Sequence, residues 1–154
     1  MSAVLDPRRA SAPVVMVGLL LAASLALFAC KRDSRAPEPL AFPNAPTGRL
    51  EITYPLDETL FPPEIVAPTV VWGDKTDGVV KWQVMLRFHG QDEVLRFPTA
   101  EPRWRPSEAD WAEIKRRATA HDAEVAVVGV GPAGDAASSA TIRIRTSTDP
   151  VGDS

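Results

Sequence analysis

Between Val80 and Phe88 every second residue is apolar: Val80, Trp82, Val84, Leu86 and Phe88 alternate with Lys81, Gln83, Met85 and Arg87. Period-two alternation over this length marks a β-strand that is buried on one side. A face carrying two aromatic and three aliphatic side chains cannot stand in water, so a second layer must cover it. This one segment commits the chain to a layered β structure, with its apolar face inward and Lys81, Gln83, Met85 and Arg87 outward.

The rest of the region from Gly48 onward fits that commitment. Leu50-Glu51-Ile52-Thr53-Tyr54 alternates in the same way, and Thr69-Val70-Val71-Trp72 is a short β-branched run. Pro55 to Pro68 is expected to be turn and edge structure, because proline cannot donate to a strand ladder. Gly73–Gly78 and His89–Asp92 read as turns, the second leading into a returning strand at Glu93–Phe97. Ser107, three residues before Asp110, forms a capping signature. Trp111, Ile114 and Ala118 then follow at helical spacing, and Lys115, Arg116 and Arg117 complement the helix dipole, so one amphipathic helix is expected over 108–120. Glu124–Val130 and Thr141–Arg145 read as final strands, with Gly129–Ser139 as the loop between them. Six or seven short strands with turns about every ten residues predict an antiparallel β-sandwich of immunoglobulin or fibronectin type III kind. An α+β roll is the alternative.

The amino terminus carries separate information. Arg8 and Arg9 precede Val14–Ala29, a run without a charged residue. The run falls short of the roughly 20 residues that span a bilayer, but it has the basic, apolar and small-residue zones of a secretory signal. Leu27-Phe28-Ala29-Cys30 resembles the bacterial lipobox. That resemblance implies diacylation of Cys30, the only cysteine in the chain, and cleavage that makes it the first mature residue. The protein is then expected to be exported and held to the cell-envelope membrane by lipid. Lys31, in place of Asp, resembles lipoproteins forwarded to the outer membrane, facing the periplasm. The alternative is an uncleaved single-span anchor that exports the same domain. Four prolines within 30–47 (Pro37, Pro39, Pro43 and Pro46) predict a semi-rigid tether of about 3 Å per residue. The expected organisation is a signal peptide at 1–29, the lipidated Cys and tether at 30–47, the sandwich at 48–147, and a tail at 148–154.

Tyr54-Pro55-Leu56-Asp57-Glu58-Thr59-Leu60-Phe61-Pro62-Pro63 and Pro68-Thr69-Val70-Val71-Trp72 resemble the opening of fibronectin-like modules in larger bacterial envelope proteins. Glu101-Pro102-Arg103-Trp104, Trp111-Ala112-Glu113-Ile114-Lys115 and Thr146–Gly152 extend the resemblance across about residues 48–152. In those larger proteins the module precedes a β-propeller with haem-type cysteine motifs. This chain carries neither a propeller nor a Cys-x-x-Cys-His motif, so their redox role is not carried over.

Chemistry-bearing constellations are sparse. A net charge of −3 offers no basic footprint for nucleic acid. His89 and His121 lack a ligand partner at metal spacing, and no Ser sits in a nucleophile elbow. The aspartates Asp74, Asp77 and Asp92 do not follow a calcium-loop pattern. Gly129–Gly134 resembles a phosphate loop only superficially, since Pro132 interrupts it and a strand follows. The chain is therefore expected to be no enzyme and to need no cofactor or metal. It would bind or organise an unidentified envelope protein or glycan. Trp72, Trp82 and Trp111 are expected in the core, leaving Trp104, flanked by Arg103 and Arg105, as the indole for a carbohydrate- or peptidoglycan-binding alternative. His89, Asp74 and Asp77, on the turns, complete the candidate binding surface.

Overall fold

A computed structural model of the chain describes residues 38–149. The expected signal sequence, Cys30 and the first part of the expected tether, together with the last five residues, lie outside the described residues. The described part is mainly β, with two sheets and one helix. In chain order the elements are β1 (Leu50–Tyr54), β2 (Thr59–Phe61), β3 (Val70–Asp74), β4 (Lys81–Phe88), β5 (Val94–Thr99), β6 (Arg103–Trp104), α1 (Glu108–Ala120), β7 (Ala123–Val130) and β8 (Ala136–Thr146). One sheet runs β1-β3-β6, the other β2-β8-β7-β4-β5. All pairings are antiparallel except β2 with β8, which is parallel. Among the described residues, no helix is long and apolar enough to cross a membrane.

The two sheets share one core. Leu50, Val70 and Trp72 from the small sheet meet Val84, Leu86, Phe88, Val125, Val127, Ile142 and Ile144 from the large one. The inward members of the β4 alternation from Val84 onward are almost fully buried, whereas Val80 lies just before the strand and is exposed. The helix closes the core with the residues its spacing selected, Trp111, Ile114 and Ala118. Its first turn is capped as the sequence predicts, with Ser107 Oγ accepting from the Asp110 N–H at 3.1 Å. Phe61 of β2 meets the Trp111 ring edge-on at 5.6 Å, and Trp111 Nε1 donates to the Ile65 carbonyl at 3.0 Å. The proline-rich stretch between β2 and β3 is thereby pinned to the helix.

The stretch 55–68 is turn and edge, its one strand β2 lying at the edge of the large sheet beside β8. Arg103–Trp104 is a two-residue strand paired with Val70 and Val71. Two expectations change. The loop expected over Gly129–Ser139 shrinks to a tight turn. In that turn the Gly131 N–H donates to the Asp135 carbonyl at 2.9 Å, and the Gly134 N–H to the Gly131 carbonyl at 3.0 Å. Gly134 has the positive φ that such a turn demands. Small residues here signalled close packing, since Ser138 and Ser139 are buried within β8.

The second change concerns the outer face of β4. Met85 is fully buried although it points away from the main core, because it joins Ala126 and Val128 of β7 in a second cluster covered by Leu40, Phe42 and Val94. The packed unit therefore reaches back past Gly48 into the proline-rich tether. Alternation alone cannot reveal this, since the covering residues lie some forty positions away among prolines.

Gly129 marks the tightest point of the sheet. A Cβ there would lie 2.2 Å from Ser138 Oγ and 2.7 Å from Asp74 Oδ2. Gly129→Ala is expected to destabilise the fold by about 1–3 kcal/mol, the usual cost of overpacking, as measured by chemical denaturation. A variant of unchanged stability would show that this approach is not tight.

Candidate functional site

Asp74 ends β3 in the small sheet, and its side chain crosses to the large one. Its Oδ2 accepts from Trp82 Nε1 of β4 at 3.0 Å and from Ser138 Oγ of β8 at 2.6 Å. Its Oδ1 accepts from the Thr76 N–H at 2.9 Å. Thr76 Oγ1 in turn accepts from the Arg49 N–H at 2.7 Å, which brings the start of β1 into the same network. Partial burial pushes the Asp74 pKa up, but the hydrogen bonds from Ser138, Thr76 and Trp82 outweigh it, and the net shift is below the ordinary 3.8. This carboxylate is consumed by the fold and offers no open acceptor set to a ligand.

The other turn candidates do not gather around it. Asp77 is exposed and makes only a 3.4 Å contact with Arg49. His89 lies at the opposite end of β4, roughly 25 Å away at about 3.3 Å per strand residue, where its N–H donates to the Asp122 carbonyl at 3.0 Å. Asp92 shares that distant turn. Among the described residues, no group of three or more His, Cys, Asp or Glu side chains converges as a metal set would.

Arg103, Trp104 and Arg105 do form a continuous surface, because β6 lies at the margin of the small sheet. The Trp104 ring packs on Phe97 of β5 at 4.6 Å with the planes tilted by 33°, so this half-buried indole bridges the edges of both sheets. Thr99 Oγ1 donates to the Arg103 carbonyl at 3.3 Å and holds the β5–β6 connection closed. Trp104, Arg105, Thr69, Pro98 and Glu101 line a shallow hollow of about 420 Å³. Arg103 lines it as well, paired there with Glu101, 2.7 Å from its Nε. Arg105 also lines a second hollow of about 500 Å³ between α1 and the 64–67 segment, with Trp111 and Lys115. Lys115 Nζ is occupied there by the Pro63 carbonyl at 2.8 Å, and Val66 stands exposed in its lining. The arrangement joins an aromatic floor, an exposed aliphatic residue and an exposed guanidinium, a combination suited to recognition.

A further groove was not signalled by the sequence. Glu58, Leu60, Asp122, Arg143 and Arg145 line a hollow of about 350 Å³ beside β2. Glu58 sits there at φ 63°, a left-handed conformation unusual for a residue with a side chain. Its N–H donates to the Arg143 carbonyl at 2.8 Å and its carboxylate takes Arg143 Nη2 at 2.6 Å. Asp122 pairs with Arg145, and the Arg145 hydrogen bond lowers the Asp122 pKa. These charges are mutually satisfied, so the groove presents paired ions rather than a free one.

Compared with known proteins, the sequence matches no family model and no curated protein.

The Asp74 network yields a pH test. Asp74 holds its proton less tightly folded than unfolded, so its stabilisation is present above about pH 4 and is lost as the pH falls through the lower folded value. Asp74→Asn is expected to cost about 1–3 kcal/mol at neutral pH by leaving buried donors mismatched. The gap to the parent protein should be narrower at acid pH than at neutral pH in denaturant titrations, because the parent loses the charge's contribution as the pH falls below the unfolded value. A gap of equal size at both pH values would remove the carboxylate charge from the account.

Proposed function

We propose that this chain is an exported, lipid-anchored module of immunoglobulin or fibronectin type III kind that holds an envelope partner without chemistry of its own. The observation that carries the reading is strand order. The large sheet contains β8-β7-β4, which corresponds to the G-F-C order of that fold, and β1-β3-β6 corresponds to A-B-E. The first strand segment pairs with β3 and the next, β2, pairs in parallel with β8, so the chain's opening edge is shared between the sheets. Helix α1 takes the connection between β6 and β7. A fold of this kind does its work at its ends and edges, and the Trp104–Arg105 surface is the edge with the widest mixture of apolar and charged groups.

The anchor rests on Leu27-Phe28-Ala29-Cys30. Several acyl chains, at about 0.8 kcal/mol per buried methylene, suffice for stable attachment where a single chain does not. Lys31 favours delivery to the outer membrane, with the module in the periplasm. Labelled palmitate is expected to enter the full-length protein, and Cys30→Ala should abolish it. Persistent labelling of the variant would overturn the anchor.

A second reading, glycan or peptidoglycan recognition, draws support from the Trp104 hollow, because an accessible indole beside a cation suits a sugar ring bearing a carboxylate. In this reading intrinsic tryptophan fluorescence shifts on titration with peptidoglycan fragments, and Trp104→Ala removes the response. A photo-crosslinking residue at position 105 tests the protein-partner reading in intact envelopes. A discrete adduct at 105, absent when the crosslinker sits at position 77, supports it. Equal labelling from both positions, or none, overturns the assignment of this edge.

A further inference from the structure

The stretch Leu40–Thr47 is both tether and cover. Leu40 and Phe42 pack on Met85, Ala126 and Val128, which are essentially inaccessible beneath them. Phe42 also lies under a prepared cation. Arg87 Nε and Nη2 both donate to Glu124 Oε2, at 2.8 and 2.6 Å, across a directly opposed pair of β4 and β7. Held in this way, the guanidinium carbon sits 4.2 Å from the Phe42 ring centroid. At the far end Thr47 and Ser139 exchange backbone hydrogen bonds at 3.1 and 2.9 Å, and Ser139 Oγ donates to the Ala45 carbonyl at 3.1 Å. The Thr47 and Ser139 hydroxyls are also hydrogen-bonded at 3.1 Å, and Arg96 makes a 3.4 Å contact with the Leu40 carbonyl.

We propose that residues 40–47 form a releasable strap, which lifts off the large sheet while the rest of the fold stays intact. The asymmetry of the contacts argues for it. The covered face is continuous, central and apolar. The cover itself consists of two partly buried side chains, one isolated backbone bridge and the Ser139 hydroxyl bonds beside it, which must offset the ordering of the whole segment. Pro43 and Pro46 keep that ordering cost low, so docking is favoured, yet no ladder locks it. Release has two consequences. It uncovers an apolar slot with a cation at its rim, shaped for an extended Leu-x-Phe-Pro segment, whose docked occupant is the chain's own strap. It also adds Leu40–Thr47 to the tether, about 25 Å at roughly 3.1 Å per residue. The gain in reach rests on the Cys30 anchor, whereas release of the strap does not.

Hydrogen exchange on the full-length protein tests the release. The amides of Thr47 and Ser139, which bond to each other, are expected to exchange at least about a hundredfold faster than amides of the β4–β7 ladder. Phe42→Ala should speed them roughly tenfold further. Exchange of Thr47 and Ser139 at the ladder rate would overturn the proposal, because the strap would then open only with global unfolding. The ¹³C-methyl resonance of Met85 reports the slot. It should move in Phe42→Ala and return toward its parent position when a peptide of residues 38–47 is added. An unmoved resonance, or one the peptide leaves displaced, would show that the slot does not receive the strap as described. Loss of palmitate labelling as a property of Cys30 would cancel the reach and leave these results untouched.

Discussion

The Asp74 carboxylate is the point on which the architecture turns. Two sheets facing each other are held mainly by apolar contact, which is strong but has no direction and tolerates sliding. Asp74 supplies direction. One oxygen gathers donors from β4 and β8, the other takes the turn that leads into β4, and Thr76 hands the network on to β1. The network fixes how the small sheet sits over the large one at this end, and the need for space explains neighbouring residues. Gly129 has no side chain because the Ser138–Asp74 bond passes where its Cβ would be, and Gly48 approaches Thr76 and Ser138 too closely for a Cβ as well. Trp72, stacked edge-on against Trp82 at 6.1 Å, contributes only packing. Its Nε1 is buried with no hydrogen-bond partner among the described residues, while that of Trp82 is spent on Asp74.

Much of this fold was legible because the signals were local. The β4 alternation, the Ser107 cap and the Trp111-Ile114-Ala118 spacing each depend on neighbours within one element, and each element forms where its pattern lies. The misreadings share a different physical origin. Small residues at Gly129–Ser139 suit a loop, yet they are small because Asp74 arrives from sixty residues away in sequence. β6 consists of two residues between turns, and only its partner β3 makes it a strand.

The candidate residues divide on the same principle. Asp74 looked like a turn carboxylate open to a ligand, and nothing nearby in sequence announces Ser138 or Trp82 as its partners. His89 and Asp77 occupy turns as expected, but β4 is a rigid rod between them, so turn residues from its two ends do not share a site. Arg103, Trp104 and Arg105 stay together because they are consecutive. Even there tertiary structure distinguishes two similar residues, since Arg103 is paired with Glu101 in one hollow while Arg105 lines two.

Where recognition can occur follows from what is already covered. The large sheet has no free central face, since one side lies in the core and the other beneath Leu40 and Phe42. The helix spends its apolar stripe on the core, and its charges on local pairs. Arg116 and Arg117 hydrogen-bond Glu113 and pull its pKa down to about 2, and Arg117 also reaches Glu93. The groove beside β2 is neutralised by its own ion pairs. Two places remain where apolar surface lies beside a cation. One is the Trp104–Arg105 edge, open in this structure. The other is the slot under the strap, where Arg87 is oriented by Glu124 to receive an aromatic ring. The first is available to a partner at all times. Access to the second is set by how firmly two partly buried side chains hold residues 40–47 in place.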